Sequence, residues 1–207
     1  MTTLLFVLAA YLIGCVPFAV VSSKLFGLAD PRSYGSGNPG ATNVLRSGNK
    51  AAALVTLLGD GAKGWLAVWL ATRFAPTFGA DSFTVALVAV AVFLGHVFPV
   101  TLRFKGGKGV ATAAGVMLAL SPALFGVVGL VWFAVAALFR YSSLAALLAS
   151  AAAPLAALSF LDNGWGVLAV IVNSVLLTWR HQENIKKLIA GTESKIGGKK
   201  QDPGSGS

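Results

Sequence analysis

Three clusters of residues in this chain carry groups suited to holding an anion. The first, Gly35 to Lys50, reads GSGNPGATNVLRSGNK. Gly37 and Gly40 leave backbone amides approachable, while Ser36, Thr42, Asn43 and Arg46 add hydroxyl, amide and guanidinium donors, the last able to grip a phosphate through two hydrogen bonds. Asn38 is placed to cap a short helix that begins at Pro39 and runs to Arg46, and the free amides of such a helix start attract anions. The second cluster, Gly95 to Thr112, reads GHVFPVTLRFKGGKGVAT. Lys105, Gly106, Gly107, Lys108 and Gly109 lead directly into an apolar helix through Thr112, so glycine amides, a helix N-terminus and two ammonium groups converge. This is not a nucleotide P-loop, because glycine rather than Ser or Thr follows the lysine and no strand precedes it. His96, at the start of the cluster, suits a base, a hydrogen-bond donor or a simple cation at a helix C-terminus. The third cluster, RHQENIKKLIAGTE from Arg180 to Glu193, puts His181 and Asn184 three apart on one helix face, with Glu183 between them. Ile185, Leu188 and Ile189 then face lipid while Lys186 and Lys187 face water.

One charged pair lies apart from these clusters. In GDGAKG, Asp60 and Lys63 sit three apart inside an apolar segment, where charge is costly unless paired, so a mutual structural ion pair is expected. His96 and His181 are the only histidines and the acidic residues are scattered, so no metal cage and no cofactor are expected.

The elements that must position these groups are membrane spans. The chain has 207 residues, of which 56% are hydrophobic and 11% charged, with a mean hydropathy of +0.78, well outside soluble-domain composition. Apolar runs near 3–23, 51–72, 83–102, 110–138, 142–160 and 164–179 show no period-two alternation, which excludes a membrane barrel and leaves helices. The first run lacks a basic leader and continues past Cys15, so it reads as a retained helix rather than a cleaved signal. That lone cysteine excludes an internal disulfide.

Ser121-Pro122 interrupts the 110–138 run at a helix restart, which yields seven segments with a fourth, 110–120, only about 16 Å long. Charge supports seven spans with the N-terminus outside. Lys24, Arg32, Arg46, Lys50, Arg103, Lys105, Lys108, Arg140 and the basic residues from Arg180 to Lys200 then all fall on the cytoplasmic side, leaving only Arg73 outside. The fold expected is an all-α polytopic membrane protein with a cytoplasmic C-terminus. Residues 1–196 are expected to form one transmembrane catalytic domain, and 197–207, ending in QDPGSGS, a disordered tail that is partly an expression scar. The net charge of +9 suits anionic lipid and anionic substrates, and no nucleic-acid partner is expected.

The motifs together resemble one family. Ser36-Gly37-Asn38-Pro39-Gly40-Ala41-Thr42-Asn43 with Arg46, Gly95-His96-x-Phe98-Pro99 with Phe104 to Thr112, and Arg180-His181-x-Glu183-Asn184-Ile185 with Gly191 and Glu193 are similar to the three cytoplasmic motifs of the bacterial acyl-phosphate:glycerol-3-phosphate acyltransferases (PlsY). Asp60-x-x-Lys63-Gly64 resembles that family's second helix. The resemblance implies a seven-helix inner-membrane enzyme of phospholipid synthesis. It would transfer a fatty acyl group from acyl phosphate to the 1-hydroxyl of sn-glycerol 3-phosphate, giving lysophosphatidic acid and inorganic phosphate.

On that footing Ser36, Arg46, His96 and Lys105 are the expected catalytic residues. Gly37, Asn38, Gly40, Thr42, Asn43, Gly106, Gly107, Lys108, Gly109, Thr112, His181, Glu183 and Asn184 are the expected substrate-binding residues. Ser36, Arg46, Lys105 and the amides of 106–109 are expected to hold the acyl phosphate, and His181 and Asn184 the glycerol phosphate. Because an acyl phosphate is an activated anhydride, direct transfer without an acyl-enzyme is expected, with His96, His181 or a substrate phosphate oxygen as the base. Two other readings compete: a small organophosphate transporter, which the lack of an internal repeat disfavours, and an assembly protein, which leaves the glycine-lysine clusters unexplained.

Overall fold

Proline and glycine decide where the helices stop. The computed structural model describes residues 1–197, so the expected tail, apart from Gly197, lies outside the described residues. Helix α1 (Thr2–Gly14) ends before Pro17, and α2 (Phe18–Leu25) starts after it. The uninterrupted helix expected over 3–23 is therefore corrected to two helices, because proline has no N–H to continue the ladder. The carbonyls loosened at the break find other donors: the Thr101 hydroxyl reaches Cys15 at 2.6 Å and the Lys63 ammonium reaches Val16 at 2.8 Å. In an apolar surrounding such groups must be satisfied internally.

The short α3 (Ala41–Leu45) also differs from expectation. Its first carbonyl is that of Gly40, which accepts from Asn43 and Val44 while Gly40 itself is extended, so Asn38 provides no side-chain cap and Pro39 lies outside the helix. Next come α4 (Lys50–Phe74) and α5 (Ser82–Val97), capped by Asn49 and Asp81 side chains that accept from the amides of Ala52 and Thr84. A single 3-10 turn, Val100–Leu102, follows α5 after Pro99. Ser121 and Pro122 divide the long apolar run into α6 (Val110–Leu120) and α7 (Pro122–Phe139). Then come α8 (Ser142–Phe160), α9 (Gly164–Arg180) and the amphipathic α10 (Gln182–Ile189).

No strand occurs among the described residues. Five stretches are long and apolar enough to cross a membrane: Thr2–Leu25, Lys50–Phe78, Ser82–Leu102, Pro122–Phe139 and Ser142–Phe160. Two apolar helices, α6 and α9, are shorter. Large apolar side chains such as Leu58, Leu130, Leu138 and Leu155 point outward, as lipid contact permits and water does not.

Small residues let the helices approach. α4 packs most extensively on α6, where Gly115 backs directly onto the Gly61 carbonyl, and α1 packs on α5. The α7–α8 pair joins this group through α6 and α9. Alanines on α8 (Ala145, Ala146, Ala149, Ala153, Ala157) are buried on its inner face. This arrangement leaves a large opening between α6, α7, α8 and α9, below the loops that carry the three clusters.

Candidate active site

That opening is a cavity of about 1700 Å³ with two chemically different parts. Its mouth is lined by Ser36, Asn38, Gly40, Thr42, Asn43, Arg46, Lys108, Gly109, His181 and Asn184, so residues from all three sequence clusters meet there. Its arm runs between the helices and is lined by apolar residues, among them Met117, Phe125, Val128, Trp132, Ala149 and Val170. Leu130 and Phe133 also line it and are 67% and 66% exposed, so the arm opens sideways on the apolar outer surface.

The first loop is built around Asn43. Its buried side chain accepts from the Ser36 amide at 2.9 Å and donates to the carbonyls of Pro31 and Tyr34, at 2.6 and 3.1 Å. The amide is therefore used up in shaping the loop, and it presents Ser36 and the Arg46 guanidinium to the cavity. Thr42 ties this loop to α8 through a 3.2 Å hydrogen bond with Ser142.

The second loop presses its glycines against α5. A Cβ at Gly107 would collide with the His96 ring, and Gly109, at φ 85°, is packed on the Phe93 ring. The amides of Gly106 and Gly107 donate to the carbonyls of Val97 and His96 at 3.1 and 3.2 Å. From the other side, the Arg180 guanidinium donates to the Gly106 carbonyl at 3.3 Å. This register decides which lysine faces the cavity. Lys108 lines it, whereas Lys105, expected to hold phosphate, is exposed and lies outside it. The amides of Gly106 and Gly107, also expected at the phosphate, are spent on α5 carbonyls. Thr112 is buried, its hydroxyl donating to the Asp60 carbonyl at 3.0 Å, and Gly37 does not line the cavity.

Beneath the loop, Asp60 and Lys63 form a buried ion pair at 2.8 Å, and His96 Nδ1 lies 3.4 Å from the same Asp60 oxygen. Asp60 and His96 also border the cavity.

The third cluster supplies the other wall. Lys108 donates to the Asn184 side-chain carbonyl, while the Asn184 amide donates to Glu193 at 2.8 Å. Glu183 points away, paired with Lys186 at 3.0 Å on the surface and outside the cavity. Burial lowers the Lys108 pKa to about 8, opposed by Glu193 and assisted by Lys187, Arg180 and Arg46. Burial likewise pushes His181 down to about 4, so the ring is neutral at pH 7. Its Nδ1 lies 2.8 Å from the Leu177 carbonyl, which can only accept. Nδ1 thus carries the proton and Nε2 keeps a lone pair.

Sequence reasoning missed Ser142, Ser143 and the segment 194–197, all of which line the cavity. The serines open an apolar helix, and only the spacing of two polar residues at its start marks them. Among the described residues, no group of three or more His, Cys, Asp or Glu could hold a metal ion.

A helical membrane chain with a cationic mouth above an apolar, laterally open arm defines a class: a membrane-embedded protein handling a molecule that is both anionic and lipidic. Residues 4–191 match the family described as glycerol-3-phosphate acyltransferase. The chain belongs to that family, known as PlsY. It is 62% identical over 203 residues to the glycerol-3-phosphate acyltransferase of Cupriavidus necator, covering 97% of this chain and 100% of that one. The relative from Laribacter hongkongensis is 59% identical over 201 residues, again covering 97% and 100%. The crystal structure of PlsY, an integral membrane glycerol 3-phosphate acyltransferase, in its glycerol 3-phosphate form matches at a TM-score of 0.86 and 38% identity, covering 94% of this chain and 96% of that one. Its lysophosphatidic acid form matches at 0.84 and 37%, covering 94% and 95%. The present chain is thus an integral membrane acyltransferase of phospholipid synthesis.

Proposed function

We propose that this protein transfers a fatty acyl group from acyl phosphate to the 1-hydroxyl of sn-glycerol 3-phosphate, directly and without an acyl-enzyme. The observation that carries the reading is the two-part cavity: Arg46, Lys108, His181 and Asn184 at one end, and an apolar arm open toward lipid at the other. Both substrates bring a phosphate to the mouth, and the donor alone brings a chain for the arm.

The glycerol hydroxyl attacks the acyl carbon, the new ester C–O bond forms, and the bond to the phosphate oxygen breaks, releasing inorganic phosphate. Lys108 and Arg46 neutralise the charge that gathers on the departing phosphate, in a partly desolvated site where such contacts are strong. Ser36, Asn38 and the amide of Gly109, which opens α6, hold the donor phosphate; His181 and Asn184 orient the glycerol phosphate. Lys108 thereby takes the role expected of Lys105. Among the described residues no serine or cysteine side chain hydrogen-bonds to His96 or His181, and Cys15 is buried and does not line the cavity. No protein nucleophile is therefore assigned.

The topology proposed is seven spans in the bacterial inner membrane, counting α1 with α2 as one and including α6 and α9, with the site on the cytoplasmic face. The transporter reading is not favoured, since the polar groups gather at one end of the cavity rather than around a midplane site on broken helices. The test is acyl transfer by purified protein in lipid, using labelled glycerol 3-phosphate with acyl phosphate or acyl-CoA. Lysophosphatidic acid formed only from acyl phosphate, with equal phosphate release, is the result expected. Product from acyl-CoA alone, or a kinetic burst of acyl-enzyme, overturns it.

A further inference from the structure

The segment 192–197 crosses the cavity mouth and is fastened at its far end to the turn between α7 and α8. Arg140, which ends α7, has φ 61°, a left-handed conformation uncommon for a side chain of its size. That conformation aims its carbonyl at the Ile196 amide, which donates to it at 2.6 Å. The Arg140 guanidinium donates back to the Ile196 carbonyl at 3.1 Å. Lys195 completes the clip, its ammonium 5.7 Å from the centre of the Tyr141 ring. Upstream of the clip, two side chains turn inward. The Glu193 carboxylate accepts from Ser143 at 2.7 Å and from Asn184 at 2.8 Å. The Ser194 hydroxyl accepts from Arg46 at 2.5 Å and keeps its own hydrogen free to donate to a bound phosphate.

From this geometry we propose that Arg140 is a positioning residue for acyl transfer: by clipping the strap 192–197 to the α7–α8 turn, it holds Glu193 so that Asn184 is fixed for the glycerol phosphate, and Ser194 so that Arg46 is fixed for the donor phosphate. Arg140 does not line the cavity and touches no substrate. It acts through two links. One runs Ile196, Ser194, Arg46; the other runs Ile196, Glu193, Asn184 and on to Lys108. Long exposed side chains such as Arg46 lose much rotamer freedom when they bind, and a partner that holds them beforehand removes part of that cost. The inference rests on the acyltransferase reading of this cavity.

The test is Arg140→Gly, which keeps the left-handed backbone free of strain and removes the side chain with its guanidinium, compared with Arg140→Lys. Three readouts are taken on full-length protein in lipid: KM and kcat for glycerol 3-phosphate, amide hydrogen exchange of the peptide containing Ile196, and thermal stability. Arg140→Gly should raise KM about tenfold, as expected for one lost hydrogen bond to a charged donor, with kcat within about twofold. Exchange at Ile196 should accelerate, the melting temperature should hold, and Arg140→Lys should recover part of the loss. Unchanged KM and unchanged Ile196 protection overturn the proposal. So does a loss of activity that tracks a fall in melting temperature and lies in kcat, because that pattern marks a structural role only. If the wild-type protein made no lysophosphatidic acid, the acyltransferase reading would fail while the exchange data still judged the clip.

Discussion

Raising the pH should switch this enzyme off by discharging one lysine while the fold grows no weaker. Burial brings the Lys108 pKa down from the ordinary 10.5 to about 8. In the free enzyme the ammonium is therefore mostly charged at pH 7. At pH 9, one unit above that pKa, roughly one molecule in ten keeps the charge. Because kcat/KM reports the free enzyme, it should show a basic limb near pH 8 and fall about tenfold per unit beyond it. Stability runs the other way. Between about 8 and 10.5 the unfolded chain binds more protons at this residue than the folded one, so this group's contribution to stability rises with pH. A loss of activity above pH 8 without a drop in melting temperature thus separates the titration from unfolding. The assay is initial-rate formation of lysophosphatidic acid from pH 6 to 10, with an enzyme-free blank at each pH to subtract spontaneous loss of the donor. In Lys108→Arg the charge persists across this range, so the limb should vanish whatever the absolute rate. In Lys108→Met the rate should fall by about two to three orders of magnitude at pH 7, the scale for removing one preorganised donor from developing charge. A limb near pH 8 that survives in Lys108→Arg would refute the reasoning.

Lys105→Ala should cost little by comparison, since the side chain is exposed and outside the cavity; a rate change of less than about threefold is expected for a surface charge, checked beside Lys108→Ala in one assay. For the buried pair, Asp60→Asn or Lys63→Met alone should destabilise the protein by about 3–5 kcal/mol, because each leaves a buried charge uncompensated. The double substitution should recover much of that loss, as read by thermal unfolding in lipid. Additive losses in the double variant would mean that the Lys63 bond to the Val16 carbonyl, rather than the pair, carries the stability.

One boundary was legible in the sequence because a single chemistry decides it: Ser121-Pro122 stops one helix and starts another. The caps were not, since Asn38, expected to cap, does not, whereas Asn49, Asp81 and Asn163 cap the helices they precede. The break at Pro17 rests on the same proline chemistry, yet the apolar run that continues through it hid the interruption. What local signals could not supply was the register of the second loop. Lys105 and Lys108 are equivalent in composition, and only the packing of Gly107 on His96 and Gly109 on Phe93 turns Lys108 inward. Residues 194–197 were invisible for a related reason: their contacts reach residues 46 and 140, far away in sequence, and no periodicity announces them.

The neutral His181 shifts the burden of the reaction from acid–base chemistry to electrostatics. With a pKa pushed down to about 4, it is too weak a base to keep a proton at neutral pH, yet its Nε2 lone pair can still accept a hydrogen bond and aim a hydroxyl. With His96 held against Asp60 beneath the loop, we assign the proton released on acylation to a phosphate oxygen, whose second pKa of about 6 makes it the stronger acceptor. That assignment has a measurable consequence. An acid limb in the pH profile should lie near 6 and persist in His181→Gln, which keeps an acceptor but does not titrate. A limb that disappears in His181→Gln would return the role of base to the histidine and make its neutrality in the substrate-free site an incidental result of burial.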